Sequence, residues 1–265
     1  MKYYYREHTL GYQKVKEEGK TSWGEIHGVD GFENFSSRPF LEEILPKLLF
    51  SEPSPTVLEY GCGTGPGACF LAERGFQVDA SDLVPLAIEM AREQAKTRGL
   101  DIHYEVQDIC DLPREDKKYD MIVDSYCLQG IVFEKDRERV FQNVQSRLNP
   151  NGYYLISSAT FDEASFYRDK FVKDTETGTV YNAYQEDNLI DMKTFIVYRR
   201  LDEKPDDWED AVRVNGIWYL PVRRHWKPAD LRAEIEVAGF DVIYQDKASG
   251  ENLVCVIPTL LLSND

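Results

Sequence analysis

The chain has 265 residues, of which 42% are hydrophobic and 29% charged, a balance typical of a globular protein with a full core. Its 31 Lys and Arg against 47 Asp and Glu give a net charge of −16, which repels phosphate backbones and argues against nucleic acid as a partner. The five cysteines are scattered and contain no CxxC pair, which argues against a disulfide framework and against a zinc site.

The N-terminal segment carries no recognisable targeting signal. Residues 1–8 lack the apolar run of a secretory signal, and no stretch approaches the length of a membrane span, so we expect a cytoplasmic protein without a membrane partner. Aromatic residues are frequent before residue 40, and apolar residues recur at helical spacing over residues 40–49. We expect a helical segment in which Tyr3, Tyr4, Tyr5, His8, Tyr12 and Trp23 either cover a ligand or pack against a sheet edge.

Short apolar runs then alternate with helical patterns, which is the signature of a parallel sheet. The predicted strands are residues 56–60, 77–81, 102–106, 121–124 and 153–157, and the predicted helices are residues 67–74, 85–98 and 134–148, with a turn at 149–152. Pro228 opens a last helix that Gly239 ends, and strands follow at 241–244 and 254–257. The predicted fold class is α/β, a doubly wound, mostly parallel sheet of seven strands with helices on both faces.

Between residues 161 and 226 the pattern changes. Aromatic residues are interleaved with charges and show no strand–helix alternation, at Tyr181, Tyr184, Tyr198, Trp208, Trp218, Tyr219 and Trp226. We expect an insertion before the last helix that forms a substrate cap. The predicted organisation is a helical cover over residues 1–50, a cofactor-binding core over 51–160, the cap over 161–226, and the last helix and strands over 227–265.

The strongest chemical signal lies at residues 57–65, where an apolar strand runs into three glycines at alternate positions. Glycine there allows positive φ and close approach of the backbone to a ligand. Asp82 ends the second strand, where its carboxylate can accept hydrogen bonds from a ribose diol, and Asp108 ends the third, where it can accept from an adenine amine. Each acid alone is equally compatible with a solvated loop or a helix N-cap.

In combination these motifs resemble the class I S-adenosylmethionine-dependent methyltransferases. Residues 59–65 (EYGCGTG) are similar to the glycine motif of that family, residues 78–82 (VDASD) to its ribose-binding strand, and residues 107–113 (QDICDLP) to its adenine-binding loop. Residues 119–125 (YDMIVDS) and 148–156 (LNPNGYYLI) resemble its fourth and fifth strands. The resemblance extends weakly to the final helix and two strands.

The resemblance implies an enzyme that binds S-adenosylmethionine and releases S-adenosylhomocysteine, without a metal. It places Glu59 near the methionine amino group, Asp82 on the ribose, and Asp108 with the Ile109 backbone N–H on adenine. Arg38 is expected either to meet the methionine carboxylate or to form a surface ion pair. The full expected cofactor set is Arg38, Glu59, Gly61, Cys62, Gly63, Thr64, Gly65, Asp82, Leu83, Asp108, Ile109 and Asp124.

The sequence constrains the identity of the methyl acceptor less than that of the cofactor. Residues 125–130 (SYCLQG) lack the histidine found in many relatives, and a base is needed only where the acceptor loses a proton. The candidate acceptor residues lie in one segment before the last helix, Tyr219, Arg223, Arg224 and His225. There an arginine can read a carboxylate through two parallel hydrogen bonds, with His225 as a possible base. A small molecule or a peptide, methylated on a carboxylate or hydroxyl oxygen or on an amine, stays open as the acceptor.

Two other functions use the same fold. A nicotinamide dehydrogenase also has a glycine-rich first turn, but its third glycine would fall at position 66, which is Pro66. A methyltransferase-like binding or partner subunit without activity is the second alternative, and it would show binding without turnover. The oligomeric state is not predicted.

Overall fold

The computed structural model describes residues 2–26, 28–113, 117–185, 187–203 and 210–258, and residues 165–168 by their backbone alone. The chain begins with three helices, α1 (Tyr3–Glu17), α2 (Trp23–Ile26) and α3 (Arg38–Ile44). A 3-10 turn at Leu45–Lys47 follows α3, so this helix is shorter than the predicted 40–49. Pro46 explains the difference, because proline has no backbone N–H with which to continue the helical hydrogen bonds.

The central sheet confirms the predicted fold class. Its strands and helices are β1 (Thr56–Tyr60), α4 (Pro66–Ala72), β2 (Gln77–Asp82), α5 (Pro85–Arg98), β3 (His103–Val106), β4 (Tyr119–Ser125), α6 (Glu134–Arg147) and β5 (Leu148–Ser157). Short 3-10 turns lie at Ile109–Asp111, Leu128–Gly130 and Glu163–Ser165. The predicted turn at residues 149–152 lies inside β5, where the register against β4 shifts and Asn151 has a φ of 64°.

Six strands then form a second sheet: β6 (Phe166–Lys173), β7 (Val180–Tyr184), β8 (Asn188–Asp191), β9 (Ile196–Leu201), β10 (Val212–Val214) and β11 (Ile217–Arg224). The chain returns to the central sheet through α7 (Pro228–Val237), β12 (Asp241–Gln245) and β13 (Asn252–Val256). The second sheet is antiparallel throughout. The sequence predicted an insertion here but not its strands, and Trp208 lies outside the described residues.

The central sheet runs in the order β12-β13-β5-β4-β1-β2-β3. The pairings among β1 to β5 are parallel, and β13 and β12 are added antiparallel at the β5 edge. The strand order therefore reverses between β1 and β4, which is where open α/β sheets bind ligands.

Alternate residues of the central strands feed two apolar cores, one on each face. In β1, Val57 packs with residues of α3, α4 and α5, whereas Leu58 packs with residues of α6 and α7. Met121 and Ile122 of β4 divide in the same way. The core that contains Leu58 also includes Leu220 and Val222 of β11. The second sheet is therefore continuous with the helical layer formed by α6 and α7.

Candidate active site

A cavity of about 230 Å³ opens at the carboxyl ends of β1, β2 and β4. Its floor is the glycine loop between β1 and α4, together with Glu59 and Asp82. His8 and Tyr12 of α1 line another wall, and Arg223 is the described residue that the second sheet contributes. A smaller cavity beside Asp108 shares His8, Gly61, Leu83 and Cys127 with the first, so the two adjoin.

The glycine loop depends on backbone geometry that other residues rarely adopt. Gly61 and Gly63 have φ values of 62° and 56°. A Cβ at Gly61 would overlap the side chain of Cys127, and one at Gly63 would lie 2.7 Å from Tyr12 Oη. The loop is thus pressed between the turn after β4 and helix α1. Cys62 and Thr64, from the expected cofactor set, are buried and line the same cavity.

Glu59 is a buried carboxyl group with one unused oxygen. Its side chain is 1% exposed, and Oε2 has no hydrogen-bond partner among the described residues. Burial raises the pKa of Glu59 to about 8, although hydrogen bonds from Ser125 and the Ala68 amide oppose the shift. An unpaired buried oxygen of this kind is costly unless a ligand donates to it.

Asp82 holds the glycine loop against the end of β2. Its Oδ2 accepts from the Gly63 amide at 3.0 Å and its Oδ1 from the Val84 amide at 2.8 Å. Burial raises the pKa of Asp82, and these amides together with His8 partly offset that rise. Leu83, which follows Asp82, lines both cavities.

Asp108 lies under the first turn of α1. Its Oδ2 accepts from Lys2 Nζ and Tyr4 Oη, each at 2.9 Å, and its Oδ1 accepts from the Cys110 amide at 2.9 Å. Ile109 is buried beside it and lines the smaller cavity. Asp108 and Ile109, the two residues expected to contact adenine, therefore lie at one site. Hydrogen bonds from Lys2 and Tyr4 already occupy one oxygen of the Asp108 carboxylate.

Three residues of the expected cofactor set, Gly65, Asp124 and Arg38, line neither cavity. A Cβ at Gly65 would lie 2.6 Å from Tyr104 Oη, so this glycine packs against β3. Asp124 is 1% exposed, and its oxygens accept from Tyr60 Oη at 2.6 Å and from the Cys127 and Leu128 amides. It holds the turn after β4 rather than facing a ligand. Arg38 pairs with Glu42 at 2.9 Å and donates to the Glu33 carbonyl, which corresponds to the surface ion pair considered from the sequence.

The structure does not bring the four candidate acceptor residues together at one site. Arg223 lines the cavity and has no hydrogen bond or ion pair with another described residue. Arg224 is 9% exposed, donates to the Thr194 and Val132 carbonyls and stacks on Trp226 with its guanidinium carbon 3.8 Å from the ring centre. Tyr219 belongs to a small apolar cluster of the second sheet. Neither Arg224 nor Tyr219 lines the cavity.

His225 also lies away from the cavity. Its Nδ1 is 3.3 Å from Tyr184 Oη, and its buried Nε2 has no partner among the described residues. Burial, assisted by the charge of Arg223, lowers the pKa of His225 to about 4. The enclosed His225 imidazole does not line the cavity, so the structure does not support the role as a base that the sequence suggested.

From the sequence we expected residues of the N-terminal segment to cover a ligand or to pack against a sheet edge, and one face of α1 lines the two cavities. Tyr4, His8 and Tyr12 follow one another at intervals of four residues, so they lie on one face of the helix. Tyr4 contacts Asp108, His8 lines both cavities, and Tyr12 packs on Gly63. This four-residue spacing is visible in the sequence and predicts that the three side chains share one face of the helix.

Comparison with known proteins agrees with this geometry. Residues 57–152 match a family model described as a methyltransferase domain. The chain is 28% identical over 172 residues to a ubiquinone biosynthesis O-methyltransferase of Rickettsia felis, covering 64% of this chain and 67% of that protein. It is 32% identical over 125 residues to a 2-heptyl-1-hydroxyquinolin-4(1H)-one methyltransferase of Mycobacteroides abscessus, covering 47% of this chain and 54% of that protein.

Solved structures share the fold. A Burkholderia thailandensis 1,6-didemethyltoxoflavin-N1-methyltransferase, solved with S-adenosylhomocysteine, superposes with a TM-score of 0.55 at 14% identity. The superposition covers 95% of this chain and 88% of that one. Across the part of the chain that the structure describes, no helix is both long enough and apolar enough to span a bilayer.

Proposed function

The chain is a class I S-adenosylmethionine-dependent methyltransferase, and we propose that it methylates a hydroxyl oxygen of a planar small molecule that carries an anionic group. The observation that carries this proposal is Arg223, an unpaired cation in the same cavity as the glycine loop. The name of the Rickettsia relative, an O-methyltransferase, supports an oxygen acceptor, and the name of the Mycobacteroides relative specifies a hydroxylated bicyclic substrate.

The described residues fit the cofactor. We assign the methionine ammonium to Glu59, because its unused Oε2 is a buried acceptor beside the glycine loop. We assign the ribose diol to Asp82, and adenine to Asp108 with the Ile109 backbone N–H. The glycine loop from Gly61 to Gly65 and Leu83 complete the proposed set. When bound, S-adenosylmethionine supplies an electrophilic methyl group on a sulfonium sulfur.

The acceptor side of the cavity combines aromatic and polar walls. Trp23, Phe35 and Tyr126 line it, and these rings suit a planar molecule. Arg223 presents the one Lys or Arg side chain among the described lining residues, and its planar guanidinium matches a carboxylate. We propose that residues 161–226 form the acceptor cap on a core of residues 51–160 and 227–265, with residues 1–50 as the N-terminal cover.

Methyl transfer in this arrangement depends mainly on alignment. The acceptor oxygen must lie in line with the methyl group, so residues that fix the acceptor ring and its anionic group lower the barrier by restricting motion. Arg223 would supply that restraint from the side opposite the glycine loop. This role predicts that changing Arg223 alters acceptor kinetics and leaves cofactor binding intact.

The proposal is tested with methyl-labelled S-adenosylmethionine and three probes: 3,4-dihydroxybenzoate, its methyl ester and 4-aminobenzoate. We expect label in the hydroxyl oxygen of the dihydroxy acid, with a lower kcat/KM for the uncharged ester. The Arg223→Lys variant should lose most of that difference, with the exposed Arg213→Lys as its control. Label in the amine alone, or in neither hydroxylated probe, overturns the proposal and would favour an N-methyltransferase or an inactive subunit.

A further inference from the structure

Among the described residues, one imidazole faces the cavity, and it belongs to His8 of α1. His8 lines both the main cavity and the smaller one beside Asp108, together with Gly61, Leu83 and Cys127. The main cavity contains the unused oxygen of Glu59 and Arg223, and the smaller one contains Asp108. His8 therefore lies at the junction between the proposed adenosine end and the proposed acceptor end.

The His8 ring is held in place by its surroundings. The Trp23 ring meets it edge-on, with centroids 5.9 Å apart and an interplanar angle of 71°. Gly130 leaves room for the imidazole, because a Cβ at that position would lie 3.3 Å from His8 Cε1. Neither ring nitrogen is hydrogen bonded to another described residue. The ring is thus oriented by packing while its nitrogens stay available to a ligand.

The other ionisable groups of the cavity are poorly suited to accept a proton from an acceptor. Glu59 is assigned to the methionine ammonium, so its carboxylate is already paired when the cofactor is bound. Both Asp82 oxygens already accept backbone amides. Burial also raises the pKa values of the Tyr12 phenol and the Cys127 thiol well above their usual ranges.

We propose that His8 is the general base of this methyltransferase. The inference rests on the proposed function, because a hydroxyl acceptor must lose a proton. As the acceptor oxygen forms its bond to the methyl carbon, the carbon–sulfur bond breaks and sulfur keeps the electron pair. The hydroxyl proton passes to a free ring nitrogen of His8, and the imidazolium later releases it to water.

The surroundings of His8 include acidic and basic groups on every side. Tyr4 and Tyr12 face it from α1, Asp82 from the end of β2, Cys127 from the turn after β4, and Arg223 from β11. Asp82 interacts electrostatically with His8, since the charge of His8 lowers the pKa of Asp82 and partly offsets the effect of burial. A negative neighbour favours the imidazolium that forms during the reaction.

The kinetic test compares His8→Gln with His103→Gln, whose side chain is 61% exposed on β3. With 3,4-dihydroxybenzoate as acceptor, we expect His8→Gln to lower kcat by about 100-fold or more while S-adenosylhomocysteine affinity stays within a few fold. The wild-type rate should fall at acidic pH as the base becomes protonated, and His8→Gln should lose that dependence. Added imidazole should partly restore the rate of His8→Ala.

A second measurement does not depend on turnover. Diethylpyrocarbonate should modify His8 in the free protein, and S-adenosylhomocysteine should slow that modification but not the modification of His103. Wild-type transfer to no hydroxylated probe would reject the proposed function. Wild-type activity with an unchanged rate and pH profile in His8→Gln, or modification of His8 at the same rate with and without S-adenosylhomocysteine, would reject the role of His8 alone.

Discussion

Tyr4 Oη donates to Asp108 Oδ2 at 2.9 Å, the carboxylate oxygen that also accepts from Lys2. The other oxygen, Oδ1, accepts from the Cys110 amide. Oδ2 thus already accepts two hydrogen bonds, so an adenine amine that binds Asp108 through Oδ2 must displace part of the first turn of α1. The helix that covers the site thus competes with the proposed ligand at one end.

This competition gives a prediction for Tyr4→Phe. Removing the phenol hydroxyl abolishes a hydrogen bond that only the free protein makes in full, so S-adenosylhomocysteine should bind about 5-fold more tightly, equivalent to about 1 kcal/mol. Tyr5→Phe is the matched control, because the structure shows no side-chain hydrogen bond for Tyr5. Weaker binding by Tyr4→Phe in titration calorimetry would show that Tyr4 supports adenine instead.

The ribose assignment predicts a large loss of cofactor affinity in Asp82→Ala. Removing a charged acceptor of two hydroxyl groups should weaken S-adenosylmethionine binding by about 2–4 kcal/mol. Since Asp82 also accepts the Gly63 amide, Asp82→Asn is the companion variant that keeps one acceptor oxygen. Calorimetry on both, with circular dichroism to establish folding, checks the assignment, and unchanged affinity in a folded Asp82→Ala protein would contradict it.

The assignment of Glu59 to the methionine ammonium predicts that the affinity for the cofactor depends on pH. Burial raises its pKa to about 8 in the free protein, whereas a bound ammonium favours the carboxylate and lowers that pKa. Binding below about pH 8 should therefore release a proton, and affinity should rise with pH until it levels near that value. Calorimetry in buffers of different ionisation enthalpy measures the released proton.

Glu59→Gln is the control for that measurement, because the amide cannot ionise. It should bind S-adenosylhomocysteine more weakly at about pH 8 and show no proton release through this group. Equal proton release in the wild type and in Glu59→Gln would assign the pH dependence to another residue.

The Arg137–Glu234 pair joins α6 to α7 and predicts a stability effect. The Arg137 side chain is 1% exposed, donates to both Glu234 oxygens at 2.7 and 2.6 Å, and donates to the Leu128 and Ile131 carbonyls. Glu234→Gln should lower the free energy of unfolding by about 3–5 kcal/mol, because it leaves a buried cation without its counter-charge.

The exposed Arg232–Glu236 pair on α7 provides the comparison. Its side chains are 41% and 45% exposed, so Glu236→Gln should change stability by less than about 1 kcal/mol. Denaturant unfolding of both variants measures the difference. Similar small losses in the two variants would mean that the buried pair contributes little beyond the packing around it.

The residues of the proposed cofactor site that the sequence brought together are local in the chain. The glycine loop, Asp82 and Asp108 each follow a strand by a fixed short distance, and the carboxyl ends of neighbouring parallel strands meet at one edge. Alternating strand and helix patterns therefore predicted that these residues lie at one sheet edge, as the structure shows. Asp124 shows the limit of this argument, because a strand-end acid can hold its own turn instead of a ligand.

The acceptor end was harder to predict because it depends on contacts between distant segments. Consecutive strand residues face opposite sides, so Arg223 and Arg224 diverge, and a register shift between Pro221 and Arg223 changes the alternation just before them. The strands of the second sheet had one strong local signal, Asn215-Gly216, which adopts φ values of 48° and 85° between β10 and β11. The sequence suggested a cover that includes His8, but it did not show which elements this helix would lie beside.

The chain enters and leaves the second sheet at adjacent points. The Ser158 amide donates to the Glu251 carbonyl at 3.0 Å, and the Phe161 amide donates to the Trp226 carbonyl at 2.8 Å, so the two connecting segments run side by side. An insertion anchored in this way can diverge in length and composition without changing the strand order beneath it. If residues 161–226 form the proposed acceptor cap, the choice of acceptor can change through this insertion alone, provided that Leu220 and Val222 still fit the core beneath it.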